Sequence, residues 1–151
     1  FLPTVTDGAA VVREARTWVG VPFRHQGRDR NGIDCVGLPI VVLKSLGVTT
    51  TLHEQAPEAE LFAALTSHRG AELLITYGKL APNLRFSSTF RLGHAVYLQD
   101  LRPDGSVLVS DPLARVNLRR PVNPYMAADF GGPGLTVLLS LAEPAVGVLR
   151  T

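Results

Sequence analysis

The sequence predicts an α+β domain in which N-terminal helices pack on an antiparallel β-sheet. Three observations carry this. Apolar residues recur at helical spacing through the first part of the chain, and from Glu72 onward their period shifts toward two. Arg102-Pro103-Asp104-Gly105, set between two apolar runs, then marks a hairpin turn. Helices followed by strands is the segregated order of an α+β chain, not the alternation of a parallel sheet.

Residues 8–19 are expected to form an amphipathic helix. Val11, Val12, Ala15, Trp18 and Val19 share one face, while Arg13, Glu14 and Arg16 point away. Asp7 suits its N-cap, and Gly20 followed by Pro22 stops it. Phe23 to Ile33 is charged, holds two glycines and has no period, so it reads as a loop. A second helix is expected from about Cys35 to Leu46, with Asp34 as N-cap and Gly47 at C′. Val36, Leu38, Ile40, Val41, Val42 and Leu43 make it almost wholly apolar, which predicts a buried central helix. Pro39 lacks the amide that would bond the Cys35 carbonyl, so the first turn should be distorted or start one residue later.

A third helix is expected from Pro57, at N1, to about Arg69, burying Leu61, Phe62 and Leu65. Strands follow. Phe86, Ser88, Phe90 and Leu92 alternate with Ser87, Thr89 and Arg91; His94–Gln99 and Ser106–Asp111 flank the turn; Val116–Leu118 and Leu135–Leu141 complete the set. No composition shift divides the chain, which predicts one domain over 1–151.

The chain has 151 residues, 46% of them hydrophobic and 19% charged, with a mean hydropathy of +0.17, as a globular domain with one core requires. Scattered Pro and Gly exclude collagen and coiled coil, and no repeat is present. The longest apolar run, Val36 to Leu43, is broken by Gly37 and Pro39 and cannot cross a bilayer. The first residues lack the basic and apolar regions of a signal peptide, so none is visible, with removal by an earlier processing step as the alternative. Net charge is +2, with a pI near 9.0. The basic residues form two loose groups, Arg24/Arg28/Arg30 and Arg115/Arg119/Arg120, with no interleaved aromatics. That argues against a nucleic-acid platform and for a solvated, mildly basic surface that favours an anionic partner.

Cys35 is the one cysteine, which excludes an internal disulfide. A metal site built on Cys35 and His94 would need further ligands, and His25, His53 and His68 show no ligand spacing; no metal or cofactor is expected. Cys35 opens an apolar helix behind an N-cap, where the helix dipole lowers a thiol pKa and makes a thiolate available. Unpaired amides of the same turn could line an oxyanion hole, and Gly37 leaves room beside the sulfur. The plainer alternative is an inert buried cysteine; the charged loop before it and the adjoining Asp34 argue for an open site. A nucleophilic cysteine needs a base. His94 begins a strand after Gly93, which allows close approach, whereas His53 and His68 lie in or beside an exposed helix and His25 stays open as an alternative. The orienting group should come from the next strand. Asp111 fits, with Ser110 or a carbonyl in its place if strand parity turns Asp111 outward. Asp111 could equally be only a turn residue before Pro112.

The stretch Ala15-Arg16-Thr17-Trp18-Val19-Gly20-Val21-Pro22-Phe23-Arg24-His25-Gln26-Gly27, with Gly32-Ile33-Asp34-Cys35-Val36-Gly37-Leu38, resembles the NlpC-type cell-wall cysteine peptidases. It is most similar to their phage tail-associated branch. The likeness covers about a quarter of the chain; beyond it only the layout agrees, with a later histidine opening the strand of His94-Ala95-Val96-Tyr97-Leu98. It implies a papain-like core and hydrolysis of peptidoglycan stem peptides, typically D-glutamyl–diamino acid links. It also implies Cys35 as nucleophile, His94 as base, Asp111 (or Ser110) as orienting group, and Asp34 as a substrate-binding residue. Three positions depart from the pattern. Phe23 stands where a tyrosine usually assists the oxyanion, Val36 replaces a common serine, and the Gly-Asp step before the histidine strand is missing.

The expected protein is thus a phage tail peptidoglycan endopeptidase in the virion, acting in the bacterial envelope, without nucleic-acid partners or a membrane span. A mild positive field suits the anionic wall polymer. A turnover-dead tail-tip subunit with the same fold, and a thiol amidase or acyltransferase on another substrate, are the alternatives. The Pro-rich stretch from Pro121, with Pro124, Pro133, Pro144 and the apolar Leu135–Leu141, is expected either to dock on a neighbouring tail protein or to close the domain's own core.

Overall fold

A computed structural model describes residues 8–114, 116–130 and 134–140, the side chains of 138–140 excepted. Asp7, Arg115, Pro133, Leu141 and Pro144, which entered the expectations above, lie outside the described residues. The chain divides into two units, one of residues 1–51 with 140–151 and one of residues 52–139.

In the first unit, helix α1 (Gly8–Arg16) is followed by a short hairpin, β1 (Arg28–Asp29) with β2 (Gly32–Ile33), and then by helix α2 (Gly37–Ser45). The hairpin falls in the stretch expected to be plain loop. α1 stops at Arg16, three residues before the expected end, because the chain tightens into three-residue turns. The amides of Thr17, Trp18 and Val19 bond the carbonyls of Glu14, Ala15 and Arg16. Trp18 is nevertheless used: the Arg30 guanidinium lies 3.7 Å from its ring centre and also bonds Thr17. α2 begins two residues later than expected and ends one residue earlier, with Gly47 at C′ as expected. Gly47, at φ +80°, donates to Lys44 O at 3.0 Å and Val48 donates to Leu43 O at 2.8 Å, a Schellman stop. The buried central helix is corrected: only Gly37 and Val42 are buried, and Leu38, Ile40, Val41 and Leu43 are half-buried. With nine residues, α2 packs on α1 and β1 through part of its surface only.

The second unit contains β3 (Thr50–Ala56, its first two residues preceding the division), α3 (Glu58–Thr66), β4 (Ala71–Thr76), β5 (Gly93–Gln99), β6 (Ser106–Ser110), β7 (Leu118–Pro121), α4 (Asn123–Ala127) and β8 (Leu135–Ser140). The strands form one sheet in the order β3-β8-β4-β5-β6-β7, antiparallel at β8–β4, β4–β5, β5–β6 and β6–β7. The architecture is therefore mixed α and β around a six-stranded antiparallel sheet. One face of that sheet is the core. Ala71, Leu73 and Ile75 of β4, Val96 and Leu98 of β5, Val107 and Val109 of β6, and Val137 of β8 meet Leu61 and Leu65 of α3. Each such Leu or Ile, fully buried, contributes about 1.5–3 kcal/mol by transfer from water.

The hairpin formed as its turn chemistry required. Gly105 takes φ +82°, its amide bonds Arg102 O at 2.9 Å, and Arg102 N bonds Ser106 O at 2.9 Å. Other boundaries moved. Pro57 is the N-cap of α3, not N1, and the helix stops at Thr66. Residues 86–92 alternate in polarity yet form no strand, because Ser87 Oγ accepts the amides of Thr89 and Phe90 and Arg91 bonds the Ser88 and Phe90 carbonyls. β7 starts at Leu118, where the expected strand ended, and Val116 is exposed. β3 and α4 were not expected, and β3 breaks the helices-first order. The stretch from Pro121 is used internally where it is described: Tyr125, Met126, Leu135 and Val137 are buried in this unit's own core. That removes them from a docking surface.

Candidate functional site

His94 is the second residue of β5, opposite Ile75 of β4. Gly93 before it lets the Phe130 ring lie close, since a Cβ there would come within 2.5 Å of that ring and push it aside. The β5–β6 register pairs Tyr97 with Ser110, so the residue after β6 arrives beside the start of β5. That residue is Asp111, whose Oδ1 lies 2.7 Å from His94 Nε2. Asp111 sits past the strand in a turn, so strand parity does not govern it: its Oδ1 also accepts the Leu113 amide at 2.9 Å, and its carbonyl accepts the Ala114 amide. Of the two residues considered for the third position, Asp111 reaches the imidazole, and Ser110 is the last residue of β6, paired with Tyr97.

The pair is covered, the His94 side chain being 12% exposed and that of Asp111 1%. Two aromatic rings stand edge-on to the imidazole, Tyr77 at 4.9 Å and Phe90 at 5.7 Å between centres, and they contact each other at 5.8 Å. The Tyr77 hydroxyl donates to Asp111 Oδ2 at 3.2 Å and accepts the Phe86 amide at 2.8 Å. Burial alone would raise the Asp111 carboxyl pKa. The bonds from His94, the Leu113 amide and Tyr77, with the charge of His94, outweigh it and hold the pKa below its ordinary value of 3.8. Burial pushes the Tyr77 phenol up instead, and it stays a neutral donor. A carboxylate only accepts, so Nε2 carries the hydrogen and Nδ1 is the basic nitrogen of the neutral ring.

The other unit holds Cys35, exposed, between Asp34 and the N-cap residue Val36 of α2. Asp34 is buried and fully engaged. Its Oδ2 accepts the Gln26 amide at 2.7 Å, while Oδ1 accepts the Gly37 amide at 2.6 Å and meets Arg28 Nη1 at 3.0 Å. The N-cap position itself is Val36, not Asp34 as expected; Asp34 caps α2 from two residues before it. The consequence for the expected oxyanion hole is direct. The Gly37 and Leu38 amides are taken by the Asp34 side chain and carbonyl, so those two first-turn donors are already spent. Gly37 admits no side chain, because a Cβ there would strike the Gly27 carbonyl.

The remaining histidines separate cleanly. His53 lies in β3, half-buried, with Nδ1 3.1 Å from Glu60 Oε1, which corrects its placement in or beside an exposed helix. His68 is exposed just past α3, and His25 is exposed in the loop before β1. Phe23 is exposed and bridges to Ile33. Among the described residues, no group of three or more His, Cys, Asp and Glu could hold a metal ion, and no helix is long and apolar enough to cross a membrane. Sequence reasoning missed Tyr77 and Phe90. Nothing local marks Tyr77, since its partner lies 34 residues away, and Phe90 was assigned to a strand that does not form. The sequence matches neither a protein-family model nor a curated protein.

Proposed function

We propose that the chain is a cysteine endopeptidase of the NlpC type that cleaves stem-peptide amide bonds in peptidoglycan, in the setting of a phage tail. One observation carries the chemistry: a buried carboxylate grips Nε2 of His94 and leaves Nδ1 to do the proton transfer. An exposed single cysteine next to a helix start supplies the nucleophile. The substrate class and the tail setting rest on the likeness over residues 15–27 and 32–38.

In this reading Nδ1 of His94 takes the Cys35 thiol proton, and the thiolate attacks the amide carbonyl to form a C–S bond. His94 returns the proton to the nitrogen as the C–N bond breaks, releasing the amine and leaving a thioester. Water, deprotonated by His94, then hydrolyses the thioester and restores the thiol. Asp111 keeps the ring in the productive tautomer and balances the imidazolium.

A second reading has a specific observation behind it. The Gly37 and Leu38 amides are spent and Phe23 stands in place of a tyrosine, so three candidate oxyanion donors are lost, as suits a tail-tip subunit that keeps the fold and not the turnover. Incubation of purified sacculi separates the two. Release of muropeptides, with an acyl-thioester of Cys35 in the mass spectrum and complete loss of both in Cys35→Ala, is the expected result. Folded wild-type protein that forms no thioester and releases nothing would leave the structural reading. Thioester formation on a small amide without sacculus cleavage would point to an amidase or acyltransferase. Immunogold labelling of intact virions tests the tail setting.

A further inference from the structure

We infer that Tyr77 is a positioning residue for the histidine: its hydroxyl fixes the Asp111 carboxylate so that one oxygen faces His94. This rests on the reading of His94 as the base. Tyr77 follows β4 directly, where its amide is tied to Leu92 O at 2.9 Å and its side chain is fully buried. From that one position it makes three contacts with the site. The hydroxyl donates to Asp111 Oδ2 at 3.2 Å, the ring meets the imidazole edge-on at 4.9 Å, and the oxygen accepts the Phe86 amide at 2.8 Å.

Asp111 has two oxygens and three donors around them. The Leu113 amide and His94 share Oδ1, and Tyr77 is the side chain on Oδ2. Without that donor the carboxylate can turn about its Cβ–Cγ bond until neither oxygen faces Nε2, and the ring then loses the bond that fixes its tautomer. The Phe86 amide orients the hydroxyl, because an oxygen that accepts from Phe86 directs its own hydrogen toward Asp111. Residues 86–92 thereby connect to the base twice, through this amide and through the Phe90 ring against His94.

The test is Tyr77→Phe, which keeps the ring and deletes the hydroxyl. Nitrogen-15 NMR of the imidazole is expected to show a single Nε2–H tautomer in the wild type and a mixture in Tyr77→Phe. On sacculi, kcat should fall about tenfold with KM unchanged, as loss of one bond to a charged group predicts. Phe90→Leu removes the neighbouring ring contact and should leave the tautomer single. In the wild type itself, the Tyr77 hydroxyl proton should appear as a protected resonance. An unchanged tautomer in folded Tyr77→Phe, an equal change in Phe90→Leu, or a rapidly exchanging hydroxyl in the wild type would each overturn the positioning role. A tautomer that responds in a protein without turnover would uphold Tyr77 and defeat the peptidase reading, so the two failures are distinguishable.

Discussion

Two buried carboxylates, one in each unit, are held in opposite ways. Asp34 is surrounded by groups that only donate: the amides of Gln26 and Gly37 and the guanidinium of Arg28. Asp111 also takes one backbone amide, from Leu113, but its other partners are an imidazole and a phenol. The first arrangement ties the loop before α2 to the helix start, and moving a proton there would only break it. The second arrangement hands a charge to a ring that can gain and lose a proton. A buried acid is therefore architectural or chemical according to what it binds, and two acids of similar burial fall on different sides of that line.

His94→Ala should produce the largest effect and sharpen this contrast. Turnover on sacculi is expected to fall by about 10³-fold or more, as for loss of a general base, while chemical denaturation shows a cost of only about 1–2 kcal/mol. Asp34→Ala should do the reverse. Three donors lose their acceptor in a buried place, so urea unfolding is expected to show a loss of about 3 kcal/mol, with the turnover of the folded fraction little changed. A stable Asp34→Ala protein with a raised KM would break the comparison and make Asp34 the substrate-binding residue that the family likeness implies.

The smallest effect concerns pH. The Asp111 pKa is below 3.8 in the folded chain, so its contribution to stability is present above that value and is lost as pH falls through the depressed pKa. Asp111→Asn should therefore flatten the acid limb of a stability-against-pH curve, whereas Ser110→Ala should leave that limb unchanged. Asp111→Asn should also lose less turnover than His94→Ala. An acid limb identical to wild type would mean that the carboxylate is not held as the geometry requires.

Much of this was legible in the chain. Turn chemistry at 102–105 located the β5–β6 hairpin, and that hairpin brings Asp111 to His94 from 17 residues away. Helical spacing located α2 and α3, with errors at their ends that came from competing hydrogen bonds. Cys35 stood out as a single thiol beside a helix signal. Other parts had no local signal. β3 reads Thr-Thr-Leu-His-Glu-Gln-Ala, too polar to announce a strand, and β8 beside it is what makes it one. α4 is five residues long with Pro124 inside its first turn, below the length at which periodicity speaks. Residues 86–92 gave a false signal because Ser87 satisfies nearby amides that a strand would have paired across the sheet. Tyr77 was silent for a different reason: its role is defined by a phenol and a carboxylate that only the folded sheet brings together.

The contact between Gly37 and Gly27 bears on how variation in this chain would be interpreted. A methyl group at position 37 has nowhere to go, because the obstacle is the Gly27 carbonyl, which belongs to the backbone and cannot swing aside. Exhaustive substitution at that position would return uniform intolerance two residues from Cys35, the pattern usually attributed to catalysis. The intolerance would be steric. Glycine there is selected by the space between two passing segments of main chain, and it would persist unchanged in a descendant that had lost its nucleophile.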